Sequence, residues 1–149
     1  NWLRKLDEIH KLCNNIDGAF LYSSNFSIGV NIFFDINRRL AELMKKQDYK
    51  VSISETHHLE KLDSPSGTAI TISNEIKKIK KDIKIPITSL READEIGTHE
   101  VKYISEIDSI SLHHKANKRD GFALGALIAA EWIINKKGIF TFADVLKNI

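Results

Sequence analysis

The sequence predicts a mixed β-sheet layered with helices, in the α/β or α+β class. Segments with apolar residues at helical spacing alternate along the chain with short stretches of period two. No internal repeat or low-complexity tract interrupts them. A length of 149 residues, 42% hydrophobic and 28% charged, suits one globular domain with a real core.

Each element has its own signal. Leu3, Leu6, Ile9 and the Leu12-Cys13 pair recur at helical spacing, which predicts an amphipathic helix over residues 2–14. Asp17-Gly18 breaks it, and Ala19-Phe20-Leu21-Tyr22 reads as a short buried strand. The polar stretch SSNFSIGV feeds a long periodic run through Val30, Ile32, Phe33, Ile36, Leu40, Leu43 and Met44, a helix closed by Lys45-Lys46. Tyr49 to Glu55 alternates as a half-buried strand does, and Ala69, Ile70, Ile72, Ile76 and Ile79 mark another helix. Ile83 to Leu90 contains Pro86 and is at best an edge strand. Glu100–Ile104 and Ser109–His113 alternate on either side of Asp108 and predict an antiparallel hairpin. The small-residue run from Phe122 to Ala130 begins a closely packed helix, and Phe142 to Leu146 forms a short last one.

Composition excludes several functions. A net charge of +2, from 22 basic and 20 acidic residues well mixed along the chain, gives no nucleic-acid footprint. The run Lys77-Lys78-Ile79-Lys80-Lys81 reads as a solvated helix end. A single cysteine, Cys13, rules out an internal disulfide and a cysteine-rich zinc site, and its apolar neighbours suggest an inert thiol. No apolar run approaches the roughly 18 residues that cross a membrane, and no signal peptide is visible, so a cytoplasmic protein is the default expectation. The chain starts at Asn1 with no initiator Met and passes at once into a helical pattern, so it reads as part of something longer.

The chemistry concentrates in SETHHLEKLDSPSGTA, Ser54 to Ala69. Histidine exchanges protons near neutrality, its free pKa being about 6.5. His57 and His58 are adjacent, so in an extended chain they face opposite ways and cannot share one role. Lys61 approaches His57 only if the segment turns; it can supply a proton or hold a carboxylate as a point charge. Ser64-Pro65-Ser66-Gly67-Thr68 combines a turn, a helix cap and a glycine that lets a ligand approach the backbone, with helix amides facing an anion. Taken singly, these features fit an exposed loop and a plain cap equally well. Together they read as a pocket for a small acidic substrate. The pairs His57-His58 and His113-His114 lack the spacing of a helical metal site, so no metal is expected.

The run from Glu55 to Ala69 closely resembles the signature of the dihydrodipicolinate reductases, Glu-x-His-His-x-x-Lys-x-Asp-x-Pro-Ser-Gly-Thr-Ala, with every fixed position met. Asn25-Phe26-Ser27-Ile28-Gly29-Val30-Asn31 is similar to that family's crossover into its substrate domain. The segment from His114 to Ala123 resembles its late His-x-Ala-x-x-Arg-x-x-Phe-Ala motif. The resemblance implies an α+β domain (α/β overall in the intact enzyme) preceded by the last helix and strand of a Rossmann-type domain. Residues 1–25 would be the remnant of the nucleotide-binding domain. Residues 26–149 would form the substrate-binding and oligomerisation domain, with a C-terminal return segment. It implies reduction of 4-hydroxy-tetrahydrodipicolinate with NADH or NADPH on the diaminopimelate route to lysine, with His57 as acid/base and Lys61 as proton donor. His58, Ser66, Gly67 and Thr68 would bind the dicarboxylate, and Ser23, Ser24, Asn25, Phe26, Arg119 and Phe122 would approach the cofactor. Ser23-Ser24 stands where many members carry Ala-Pro. The family's glycine-rich phosphate turn has no counterpart in this sequence, so the main cofactor site is expected outside it. The resemblance also implies a homotetramer. The alternative is a module that binds dicarboxylates and assembles without catalysing hydride transfer.

Overall fold

The computed structural model describes residues 2–149, with side chains from Arg4 onward. A 3-10 turn, Trp2–Lys5, leads into α1 (Leu6–Asn15), followed by β1 (Ala19–Tyr22), α2 (Ile28–Leu43), β2 (Lys50–His57) and α3 (Gly67–Ile79). Then come β3 (Ile87–Arg91), β4 (Thr98–Ile104), β5 (Ser109–Lys115), α4 (Asp120–Trp132), β6 (Gly138–Thr141) and α5 (Phe142–Leu146). No helix among the described residues is long and apolar enough to cross a membrane.

The main sheet has four strands in the order β3-β2-β4-β5. β2 pairs in parallel with β3 and antiparallel with β4, and β4 pairs antiparallel with β5, so the sheet is mixed and the fold is α+β. The expected hairpin is present. Its turn is closed by the Ser105 hydroxyl, which accepts from the amides of Ile107 and Asp108 at 3.1 Å. The segment around Pro86 does form an edge strand, beginning one residue after the proline, where no ladder N–H is lost.

Burial along β2 alternates strictly, with Val51, Ile53, Glu55 and His57 inward. α2 and α3 cover this inner face. Val30, Phe33, Phe34, Ala41 and Met44 from the α2 segment meet Ala69, Ile72 and Ile76 of α3 over Val51, Ile53, Val101 and Tyr103 of the sheet. Ser27 caps α2 and Ser66 caps α3, each hydroxyl accepting a backbone amide three residues on. The Lys77-Lys78 pair does sit in the last turn of α3, where it complements the helix dipole. Cys13 is free and buried in α1.

The element that sequence reasoning missed is β6. It pairs in parallel with β1, Ala19 opposite Gly138 and Tyr22 opposite Thr141, in a separate two-stranded sheet. Four residues are too short to show a period, and the partner lies at the far end of the chain. Thr141 then opens α5 through a reciprocal capping box with Asp144. Phe142 and Val145 of α5, Ala129 of α4 and the edge-on ring of Phe26 form a second, smaller core.

α4 crosses the Phe26 backbone so closely that a Cβ at Gly125 would lie 1.8 Å from the Phe26 carbonyl oxygen. Gly125→Ala is therefore expected to destabilise the protein by about 3 kcal/mol, the upper end for overpacking. Gly121→Ala, where nothing lies within 4 Å, serves as the neutral control. Urea unfolding of the two variants checks this.

Candidate active site

Two physical facts build the site. The inner phase of β2, apolar at Val51 and Ile53, turns polar at Glu55 and His57 as the strand reaches its C-terminal end. Neighbouring strands follow suit: Glu55 stands opposite Ser89 on β3 and His99 on β4, and His99 stands opposite His114 on β5. A polar row thus crosses the sheet beyond the hydrophobic layer.

Glu55 is the hub of this row. Its side chain has no solvent exposure. Arg91 reaches both carboxylate oxygens from Nη1 at 3.2 Å and one from Nη2 at 3.3 Å, and the Ser66 amide donates to Oε1 at 3.3 Å. The other oxygen meets His57 Nδ1 in a short hydrogen bond. Burial alone works to raise the Glu55 pKa, but Ser89, His57 and Arg91 around the carboxylate outweigh it and hold it below its ordinary value. The same Arg91 donates to the Lys61 carbonyl at 3.3 Å and the Asp63 carbonyl at 2.7 Å, pinning the loop between β2 and α3. That loop turns at His58, whose carbonyl accepts from the Lys61 amide at 3.2 Å. The turn that sequence reasoning required for Lys61 is present.

His57 is buried, and burial, reinforced by the positive charges of Lys61 and Arg91, lowers its pKa despite the opposing pull of Glu55. Its ring meets that of His99 edge-on, centroids 5.0 Å apart. His99 is 4% exposed, and burial followed by the charge of His57 brings its pKa down to about 3. His99 Nε2 lies 3.1 Å from the Ser66 hydroxyl oxygen, which also accepts the Ala69 amide. Lys61 Nζ rests on Asp63 Oδ1 at 2.7 Å. Asp63 in turn is held below its ordinary pKa, first by this bond to Lys61 and further by the backbone amides of Asp63 and Gly67.

A pocket of about 330 Å³ opens over these groups. All the expected site residues line it except Ser23 and Phe26: His57, His58, Lys61, Ser66, Gly67 and Thr68 from the β2–α3 unit, Ser24 and Asn25 from the loop after β1, and Arg119 and Phe122 at the start of α4. Asp63 and Ile96 complete the wall. The loop after β1 is docked onto α3 by Asn25 Nδ2, which donates to the Thr68 hydroxyl at 3.3 Å, and by the Thr71 hydroxyl, which donates to Ser24 at 3.3 Å. Ser23 instead closes its own turn onto the Asn25 carbonyl at 2.6 Å, and Phe26 packs on Phe142. The Ser66 hydroxyl is committed to the α3 cap and to His99, so what this stretch offers a ligand is the Thr68 amide, together with that of Gly67, for which a ligand competes with Asp63. A larger cavity of about 500 Å³ next door shares His58, Ile96 and Arg119 but is walled by Glu60, Asp94 and Glu95, which suits an anion poorly.

Glu55, His57 and His99 lie close enough for their ligand atoms to be within 4.8 Å of one another. The carboxylate's oxygens are already occupied by Arg91, His57 and the Ser66 amide, so the donor set is arranged for a buried ion pair and not for a metal. Sequence reasoning gave no role to Glu55, Arg91 and His99. Glu55 and His99 carried a signal, polar residues in the inward phase of apolar strands. Arg91 carried none, because its partner is fixed by the register of β3.

An α+β domain with a buried histidine and a lysine beside a helix N-terminus on one pocket is the class these features define. The family described as "Dihydrodipicolinate reductase, C-terminus" matches residues 29–146. A 4-hydroxy-tetrahydrodipicolinate reductase of Christiangramia forsetii is 47% identical over 160 residues, covering 99% of this chain and 67% of the relative. One from Buchnera aphidicola subsp. Cinara cedri is 36% identical, covering 93% and 59%. The chain belongs to the dihydrodipicolinate reductase family. A dihydrodipicolinate reductase from Paenisporosarcina sp. TG-14, solved with dipicolinate bound, superposes with a TM-score of 0.76 over 95% of this chain and 60% of its own; at 21% identity it attests the fold. The chain spans between half and two-thirds of the length of its curated relatives.

The depressed pKa of His99 has a consequence for stability. An unfolded histidine protonates near pH 6.5 and the folded one only near pH 3, so the unfolded state binds the extra proton between those values. The stabilisation is complete above pH 6.5 and is lost as the pH falls through that window. His99→Gln is expected to reduce the slope of unfolding free energy against pH, between pH 4 and 5.5, by about 1.4 kcal/mol per pH unit, one proton's worth. Urea titrations of both proteins at several pH values check the slope, independently of any loss of packing.

Proposed function

We propose that this chain supplies the substrate-binding and proton-donating half of a 4-hydroxy-tetrahydrodipicolinate reductase on the diaminopimelate route to lysine. The observation that carries the reading is the convergence of His57, Lys61 and the α3 N-terminus on one pocket. A cyclic dicarboxylate needs cations and amides for its acid groups and one proton for the reduced ring. The amides of Gly67 and Thr68 and the helix dipole take one carboxylate. Lys61 and Arg119 line the same pocket as cationic partners and His58 as a hydrogen-bonding one, and an entering carboxylate competes with Asp63 for Lys61. NADH or NADPH, when bound, supplies the hydride. Ser24, Asn25, Arg119 and Phe122 stand on the pocket wall where the nicotinamide end could lie against the ring, whereas the described residues offer no glycine turn for its phosphates. Ser23 and Phe26 support that wall from behind by shaping the loop. We assign residues 1–25 to the cofactor side and residues 26–149 to the substrate side, with β6 as the C-terminal return segment that pairs with β1.

His57→Ala or Lys61→Ala in the intact protein is expected to lower kcat about a hundredfold or more, as loss of a general acid/base does. Ser66→Ala is expected chiefly to raise KM, through a loosened α3 start. Pyridine-2,6-dicarboxylate, a planar mimic of the ring, is expected to bind this chain with a Kd of about 1 mM, equivalent to about 4 kcal/mol. Calorimetry at low salt checks this. Binding of NADH without any binding of the mimic would sink the proposal.

We further propose assembly through the main sheet, as a homotetramer. Its outer face carries no helix among the described residues, β5 is an open edge, and Ile104, Ile107 and Ile110 lie exposed at the hairpin end. Light scattering at micromolar concentration is expected to show an oligomer, and a stable monomer would count against this.

A further inference from the structure

A carboxylate accepts hydrogen bonds and donates none, so the contact between ionised Glu55 and His57 Nδ1 places the imidazole proton on Nδ1. Nε2 is then the atom left for proton exchange. The ring is held from other sides as well. His99 meets it edge-on, and Nε2 lies 3.1 Å from the point where a Cβ at Gly97 would stand, so glycine there is what gives this ring its room. Arg91, which with Ser89 and His57 holds Glu55 ionised, also grips the carbonyls on either side of Leu62. One buried ion pair therefore touches both the histidine and the backbone of the lysine loop.

We infer that Glu55 is a positioning residue for His57, fixing its tautomer and ring orientation, and that Arg91 extends the same control to Lys61. Both roles rest on the proposed proton chemistry at His57 and Lys61. The charged and titratable groups facing His57 are Glu55 on its own strand, Arg91 on β3, His99 on β4 and Lys61 in the loop. Of these, only Glu55 favours the imidazolium, against burial, Lys61 and Arg91. Glu55→Gln keeps the side-chain volume and an acceptor oxygen but removes the charge.

In the intact protein, Glu55→Gln is expected to lower kcat about thirtyfold while KM, and the Kd of pyridine-2,6-dicarboxylate, change less than threefold. The limb of the pH–rate profile that belongs to His57 moves to lower pH. Arg91→Lys keeps a cation beside Glu55 but cannot bridge both carbonyls. It is expected to keep the His57 tautomer and to weaken the dicarboxylate several-fold as the loop relaxes. Imidazole ¹⁵N spectra of the wild type read the tautomer directly and need no variant. Neutral His57 protonated at Nδ1 supports the inference, and neutral His57 protonated at Nε2 overturns it even if Glu55→Gln does not fold. A Glu55→Gln protein with unchanged pH profile, whose lost activity merely tracks lost folded protein, overturns it too. Absence of reductase activity in the wild type would instead remove the catalytic reading, leaving the spectrum to decide whether Glu55 positions the ring.

Discussion

Burying the Glu55 carboxylate is the constraint to which the rest of the site answers. A carboxylate fully out of water costs several kcal/mol unless a charge and hydrogen bonds replace its hydration. Arg91 and the Ser66 amide supply the replacement, and each belongs to a different element. β3 must therefore lie parallel to β2 in a register that sets Ser89 beside Glu55 and Arg91 beside His57. The loop must bring Ser66 back over the strand, which starts α3 where it starts. A one-residue slip of β2 would send Glu55 and His57 to the outer face and Val51 and Ile53 with them, so the hydrophobic layer and the polar row fix one another's register.

The layering separates tasks. The apolar half of the inner face, under α2 and α3, forms the hydrophobic layer, and the polar half at the C-terminal end of β2 carries the candidate site. This is where a parallel β–α–β unit presents a helix N-terminus beside the strand end, the arrangement that suits an anion. The outer sheet face is mostly polar, with Leu90 and Ile104 exposed on it, and carries no helix among the described residues.

How much of this was legible depended on whether a signal was local. Helix faces, the hairpin and the cap in the Ser64–Thr68 segment follow from spacing and residue type, whereas the Ser27 cap was not read there. The signature from Glu55 to Ala69 placed the pocket, and the structure gathers there even Arg119 and Phe122, far along the chain. What depends on partners at long range was not legible. The β1–β6 pair joins the two ends of the chain, and four residues have no period to read. Arg91 follows a strand that Pro86 made look marginal. His99 lay within an expected loop-to-strand boundary, and only the β2–β4 register sets it beside Glu55 and Ser66. Periodicity tells which face a residue takes; it does not tell what stands opposite. The same limit explains Ser66, whose hydroxyl has inward partners that sequence could not show.

Electrostatics ties the parts of the site together. At His57, burial, Lys61 and Arg91 all favour the neutral ring, with Glu55 alone opposing them. Lys61 has its own counter-ion in Asp63. A dianion entering this pocket reverses the balance. Its charge would sit beside His57 in a site of low dielectric, where an opposite charge raises the proton affinity of the ring. On the proposed reading, a dianionic ligand would favour proton uptake at His57, and a neutral ligand of the same shape would not. The Glu55–Arg91 pair would make this response usable, because it already holds the His57 ring and the Lys61 loop, so little reorganisation would remain.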